Sequence, residues 1–207
     1  MFVHALLLSG LALPFPLCAQ LDAPPALRDY SSCSHQTCTW MPLLKDDVFR
    51  RGEYTYRVNE EGFVLRHKGR VVLRTGLRGV SASVKVVWSE DSKNFAVTWS
   101  IGGSIGFFRV RAFHVDGDVV TELPGGKLAW REFTAHHGCK TRGDNIQAYS
   151  WLPDSEQLVL VLSVYPTSDC GWDMGYTEGY VVDAPSGEIR EHWNLKQLNA
   201  YLKDHPE

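Results

Sequence analysis

An all-β chain built from repeated antiparallel sheet units is the prediction of this sequence, and three observations carry it. A tryptophan-turn-strand segment occurs twice in register. Three pairs of strand-like runs are joined by turn residues, and the runs themselves are rich in β-branched, aromatic and aliphatic side chains.

The repeated segment is Val86–Ser100, VVWSEDSKNFAVTWS, and it returns as Tyr149–Ser163, YSWLPDSEQLVLVLS. Placing Trp88 on Trp151 also places Asp91 on Asp154, Ser92 on Ser155, Phe95 on Leu158 and Val97 on Leu160, at a constant spacing of 63 positions. Matches in one register at one spacing mark an internal repeat. In each copy Asp-Ser supplies side-chain oxygens that accept hydrogen bonds from backbone two residues on, which favours a tight turn. The runs after the turn, Phe95–Trp99 and Leu158–Leu162, have the composition of a strand buried on one or both faces.

Each copy then leads to a hairpin. Phe107 to Val120 turns at Asp116-Gly117-Asp118, and Tyr176 to Ile189 turns at Ala184-Pro-Ser-Gly187. A third hairpin lies upstream, with Phe63–Leu65 and Val71–Leu73 flanking His67-Lys-Gly69-Arg70, and it lacks the Trp-x-x-Asp turn in front. Over roughly residues 54–190 this succession resembles the blade repeats of β-propellers of the WD40 and TolB-like kind. The resemblance implies propeller-like sheets. Closed rings have 4 to 8 blades of about 40–45 residues each, so this chain implies a partial or small ring, an opened sheet assembly, or a piece that closes as a homo-oligomer.

Met1 to Ala19 reads as a secretory signal peptide: the apolar run Ala5–Leu13 is followed by helix-breaking Pro14 and Pro16 and is too short to span a bilayer. No Lys or Arg precedes that run, and Leu17 stands where a small residue is usual before the cut. Leu17 before Cys18 also speaks against a lipid anchor. A buried N-terminal strand or helix is the structural alternative. No later segment is apolar enough to span, so the expectation is a secreted or periplasmic protein with no membrane span. Residues 20–48, carrying Pro24-Pro25 and Trp40–Leu44, read as an irregular N-terminal segment, 49–190 as the β-repeat domain, and 191–207 as a C-terminal helix. In that helix Asn194 and Gln197 form a capping box, and Leu195, Leu198 and Leu202 fall on one face with Tyr201 beside them.

Four cysteines follow the signal segment, and an even number in an exported chain points to disulfides. Of the three possible pairings the reading favours Cys33–Cys38 and Cys139–Cys170; the second closes a loop of about 30 residues and contributes about 3 kcal/mol by restricting the unfolded chain. The competing reading is a metal site from Cys33, His35, Cys38, His136, His137 and Cys139. Its spacing matches no common zinc pattern, so no metal and no cofactor are expected. A formal net charge of −3 with scattered basic residues gives no electrostatic footprint for nucleic acid.

Gly102-Gly-Ser104-Ile-Gly106 fits the G-x-S-x-G nucleophile elbow, which needs a strand before it and a helix after it. Alternating apolar and basic residues in Phe107–Phe113 predict a strand instead, so the bland reading is a glycine-rich connection. Were it an exported serine hydrolase, Ser104 would be the nucleophile, His136 or His137 the base, and Asp144 or Asp154 its orienting partner. His136-His137 with Cys139 and Lys140–Asp144 read as a polar connecting loop that also contains Arg142-Gly143-Asp144. Trp172 and Tyr176 could stack on a sugar or peptide, or pack over the disulfide. Trp88, Trp99 and Trp151 read as core; Trp40, Trp130, Trp172 and Trp193 are candidates for exposed contacts. The function expected from all this is a non-catalytic binding or scaffold protein of the cell envelope, with a protein, peptide or glycan ligand and candidate contacts at His136, His137, Trp172 and Tyr176.

Overall fold

The computed structural model describes the backbone of residues 38–42 together with residues 48–59, 62–77, 83–100, 108–137, 145–164 and 176–206. The signal segment, Cys33, Ser104, Cys139, Arg142–Asp144, Cys170 and Trp172 lie outside the described residues, and so do both expected disulfides, since only the backbone of Cys38 is described.

Thirteen strands and two helices are described. Strands β2 (Phe49–Arg51), β3 (Tyr54–Asn59), β4 (Gly62–His67) and β5 (Arg70–Thr75) form the first sheet. The second comprises β6 (Ser83–Trp88), β7 (Asn94–Ser100), β8 (Phe108–Asp116) and β9 (Val119–Leu123), with β1 (Cys38–Pro42) added beside β6. The third comprises β10 (Ile146–Trp151), β11 (Gln157–Ser163), β12 (Thr177–Asp183) and β13 (Ile189–Trp193). Sequential strands pair antiparallel within every sheet, which is the meander of a blade. The all-β architecture of blade-like sheets and the short C-terminal helix are as the sequence predicts. Strand β1 falls inside the stretch read as irregular.

The repeat is real at atomic detail. Ser92 and Ser155 both take the left-handed conformation, each at φ 61°. Their amides donate to Ser89 O at 3.0 Å and to Leu152 O at 2.9 Å, and the turn is closed by Ser89 N to Asn94 O and Leu152 N to Gln157 O, both 2.9 Å. Asp91 Oδ1 accepts from Lys93 N at 3.0 Å, and Asp154 Oδ1 from Glu156 N at 3.0 Å, so both aspartates act as turn acceptors.

The three sheets stack through two apolar seams. Every residue of β7 is buried, because both faces of the middle sheet are covered. One face presents Val86, Trp88, Phe95 and Val97 to Tyr54, Tyr56, Phe63 and Leu65 of the first sheet. The other presents Val87, Ala96 and Ala112, small enough to admit Ile146, Leu158, Leu160 and Leu162 of the third. Burying such side chains contributes about 1.5–3 kcal/mol each. Polar contacts fix the alignment: Arg51 Nε donates to Ser92 Oγ at 2.9 Å across the first seam, and Trp151 Nε1 donates to Val87 O at 3.1 Å across the second. His67 also crosses the first seam, with Nδ1 2.7 Å from Asp118 Oδ1, and this contact together with Glu53 raises its pKa. Helix α2 (Leu195–Asp204) closes the far face of the third sheet, burying Leu198 and Leu202 on Val159, Val161 and Val181. Its capping box is formed as predicted, with Asn194 Oδ1 accepting from Gln197 N at 3.1 Å and Gln197 Oε1 from Asn194 N at 3.0 Å.

Helix α1 (Lys127–His136) departs from the sequence reading, which put its last residue in a polar loop. Ala129 and Phe133, one turn apart, are buried against the second seam, and this packing, more than local propensity, makes the helix. Gly126 at its N-cap sits where a Cβ would fall 2.3 Å from Ile146 Cδ1, so a side chain there would have to displace the end of the Ile146 side chain on β10.

Two stability predictions follow from the seams. Trp88 Nε1 is buried without a hydrogen-bond partner among the described residues, whereas Trp151 Nε1 is bonded. Trp151→Phe should therefore destabilise by about 1–2 kcal/mol more than Trp88→Phe in urea unfolding; equal losses would count against the bond as an anchor. Lys85 on β6 is 1% exposed, with Nζ 5.0 Å from the centre of the Tyr149 ring, and desolvation pushes its pKa down to about 7. Above that value the unfolded chain binds the proton that the folded chain releases, so stability rises with pH from about 7 toward 10, by about 1.4 kcal/mol per unit. Denaturation of Lys85→Met, measured at intervals from pH 7 to 10, should show that rise flattened and the variant gaining most over the parent at pH 7.

Candidate functional site

A carboxylate buried among histidines lies where α1 ends against the third sheet. Glu178 is on β12, and the two-residue period of the strand puts it on the same face as Tyr180 and Val182, toward the second seam. It is 1% exposed. The β12–β13 register sets His192 opposite Tyr180, and the end of α1 brings His136 and His137 to the same corner.

Glu178 Oε2 gathers the polar contacts. His192 Nε2 lies 2.9 Å away, Tyr180 Oη donates to it at 3.1 Å, and His137 Nε2 lies 3.5 Å away. A buried carboxylate is costly unless polar partners compensate; the Tyr180 hydroxyl supplies a hydrogen bond, and the two imidazoles stand within ion-pair distance. Burial and the Glu178 charge together hold the Tyr180 hydroxyl far above its usual pKa, so it remains a donor. The imidazoles are fixed by rings: His192 stacks on Tyr180 at 4.6 Å and 18°, and His137 is held between Phe133 and Tyr176, each at 4.6 Å. His137 N donates to Phe133 O at 3.1 Å, ending the helix.

His136, His137 and Glu178 offer one ligand atom each, and these atoms lie within 4.8 Å of one another. Two imidazoles and a carboxylate are a donor set for a divalent transition-metal ion. The negative end of the α1 dipole points at the same spot and favours a cation there. A separate cavity of about 230 Å³ lies at the other end of α1, lined by Arg111, Leu123, Gly126, Trp130 and Ile146, away from the histidines.

Of the residues singled out from sequence, His136, His137 and Tyr176 come together here. Asp154 does not approach them: its carboxylate accepts from Glu156 N and Gln157 N in its own turn. Phe108–Asp116 is a strand, so the helix that a nucleophile elbow requires does not follow Ser104. Trp130 and Trp193, read as candidates for exposed contacts, are half-buried, the first stacked on Phe133 at 5.7 Å and the second against Tyr201 at 4.8 Å. Glu178, Tyr180 and His192 escaped sequence reasoning. The one local signal was an acidic residue in the alternation Tyr176, Glu178, Tyr180, Val182, where the other three are core-type. No protein-family model, curated protein or solved structure matches this chain.

Proposed function

We propose that this chain is an exported, non-catalytic binding module of the cell envelope, and that it binds a divalent transition-metal ion through His136, His137 and Glu178. The observation that carries the reading is the convergence of two imidazoles and a buried carboxylate within 4.8 Å. The apolar segment Ala5–Leu13 supports export. Nitrogen and oxygen donors of this kind suit Zn²⁺, Co²⁺, Ni²⁺ or Cu²⁺ rather than Ca²⁺ or Mg²⁺, which take oxygen ligands. The metal reading thus moves from a cysteine-centred set to a histidine-carboxylate set. The strand after Gly106 leaves the serine-hydrolase alternative without its supporting geometry.

Calorimetric titration of chelator-treated protein with Zn²⁺ tests the proposal. One ion per chain should bind, with a rise in Tm that depends on zinc concentration. Replacing both His136 and His137 by Ala should weaken binding at least about 100-fold while circular dichroism stays that of a folded β protein; His114→Ala, on the second sheet, should leave it unchanged. Equal zinc affinity in the parent and the double variant, or no stoichiometric binding by the parent, would overturn it.

A further inference from the structure

Resting on that metal-binding reading, we propose that the bound ion is an open Lewis-acid centre, and that it takes an exogenous oxyanion oxygen, from a carboxylate or a phosphate, at the positions not filled by His136, His137 and Glu178.

Donor count comes first. Structural zinc sites are closed by four protein ligands, whereas sites with three keep a position for water or another ligand. Among the described residues the corner supplies three donor atoms in mutual reach. His192, the next imidazole, is committed elsewhere: its Nε2 is 2.9 Å from Glu178 Oε2, and stacking on Tyr180 fixes the ring. Together with the Tyr180 hydroxyl it positions the carboxylate, an outer-shell role that metal sites use to orient their ligands.

Burial then says which way the site opens. Glu178 is 1% exposed and the His137 side chain 5%, while the His192 side chain is 35% exposed and His136 is exposed. Among the described residues, an ion held by all three donors has buried protein on its Glu178 side and the exposed His136 on the other, and that is the side on which an exogenous ligand would enter.

Charge selects the ligand class. Two neutral imidazoles and one carboxylate leave a net positive charge on a divalent ion, which an anionic oxygen donor neutralises. A coordinating anion of this kind is also how an envelope module could recognise a carboxylate- or phosphate-bearing partner by its charge and one metal bond.

Cobalt provides the probe. The full chain loaded with Co²⁺ is titrated with acetate, with phosphate and with perchlorate at matched ionic strength, while the visible ligand-field bands are followed. The bands should shift saturably with acetate, phosphate or both, and stay put with perchlorate; acetate alone identifies a carboxylate site, phosphate alone a phosphate site. Bands unmoved by either anion overturn the open centre, as does an intense near-ultraviolet thiolate-to-cobalt band, which would show a cysteine closing the coordination. Absence of any protein-bound cobalt spectrum instead removes the metal-binding reading itself. His192→Gln should keep the anion response while lowering cobalt affinity about 10–100-fold, a readout that a purely structural histidine would not move.

Discussion

The middle sheet is covered on both faces, and the rest of the molecule is placed by that constraint. A strand such as β7, with no exposed residue, is stable only if a second layer meets each face, so the first and third sheets are packing requirements as much as neighbours. The two seams differ in kind. The first is aromatic, a chain of rings running from Tyr56 through Phe63 to Phe95 and Phe113. In the second the middle sheet contributes small aliphatic side chains, Val87, Ala96 and Ala112, which allow the third sheet to approach closely enough for Trp151 to reach Val87 O. The outward face of the third sheet would be left apolar by this arrangement, and α2 covers it.

The candidate site grows out of the second seam. Helix α1 is held there by Phe133, and four residues later the chain delivers His137 against Glu178. A glutamate on the core-facing side of a strand is an expensive choice for a fold that elsewhere fills such positions with valine, leucine and tyrosine. Here two imidazoles and a phenol surround it, and that polar cluster sits at the margin of the seam, where the exposed His136 gives it a route to solvent. Expense of this sort at an accessible corner is what supports the proposed binding role.

What was legible in the sequence is what local chemistry decides. The Asp-Ser turns of both repeats, the hairpins at Gly69, Gly117 and Gly187, and the Asn194–Gln197 box each depend on residues a few positions apart, and each formed as read. Helix α1 was missed because its pattern is blurred: Leu128 is 41% exposed while Ala129 and Phe133 are buried, and its formation depends on a wall supplied by sheets distant in sequence. The site was legible in part. His136 and His137 stood out as a pair, but their partners Glu178 and His192 arrive through the β12–β13 register and the seam packing, and no spacing in the chain encodes that meeting.

The most direct test of the account is X-ray absorption at the zinc edge of zinc-loaded full-length protein. The account predicts a first shell of nitrogen and oxygen at about 2.0–2.1 Å, with the outer-shell scattering of two imidazoles and no sulfur. A sulfur shell at about 2.3 Å would contradict it and return the metal to the cysteines, and a shell without imidazole scattering would take it away from His136 and His137 altogether.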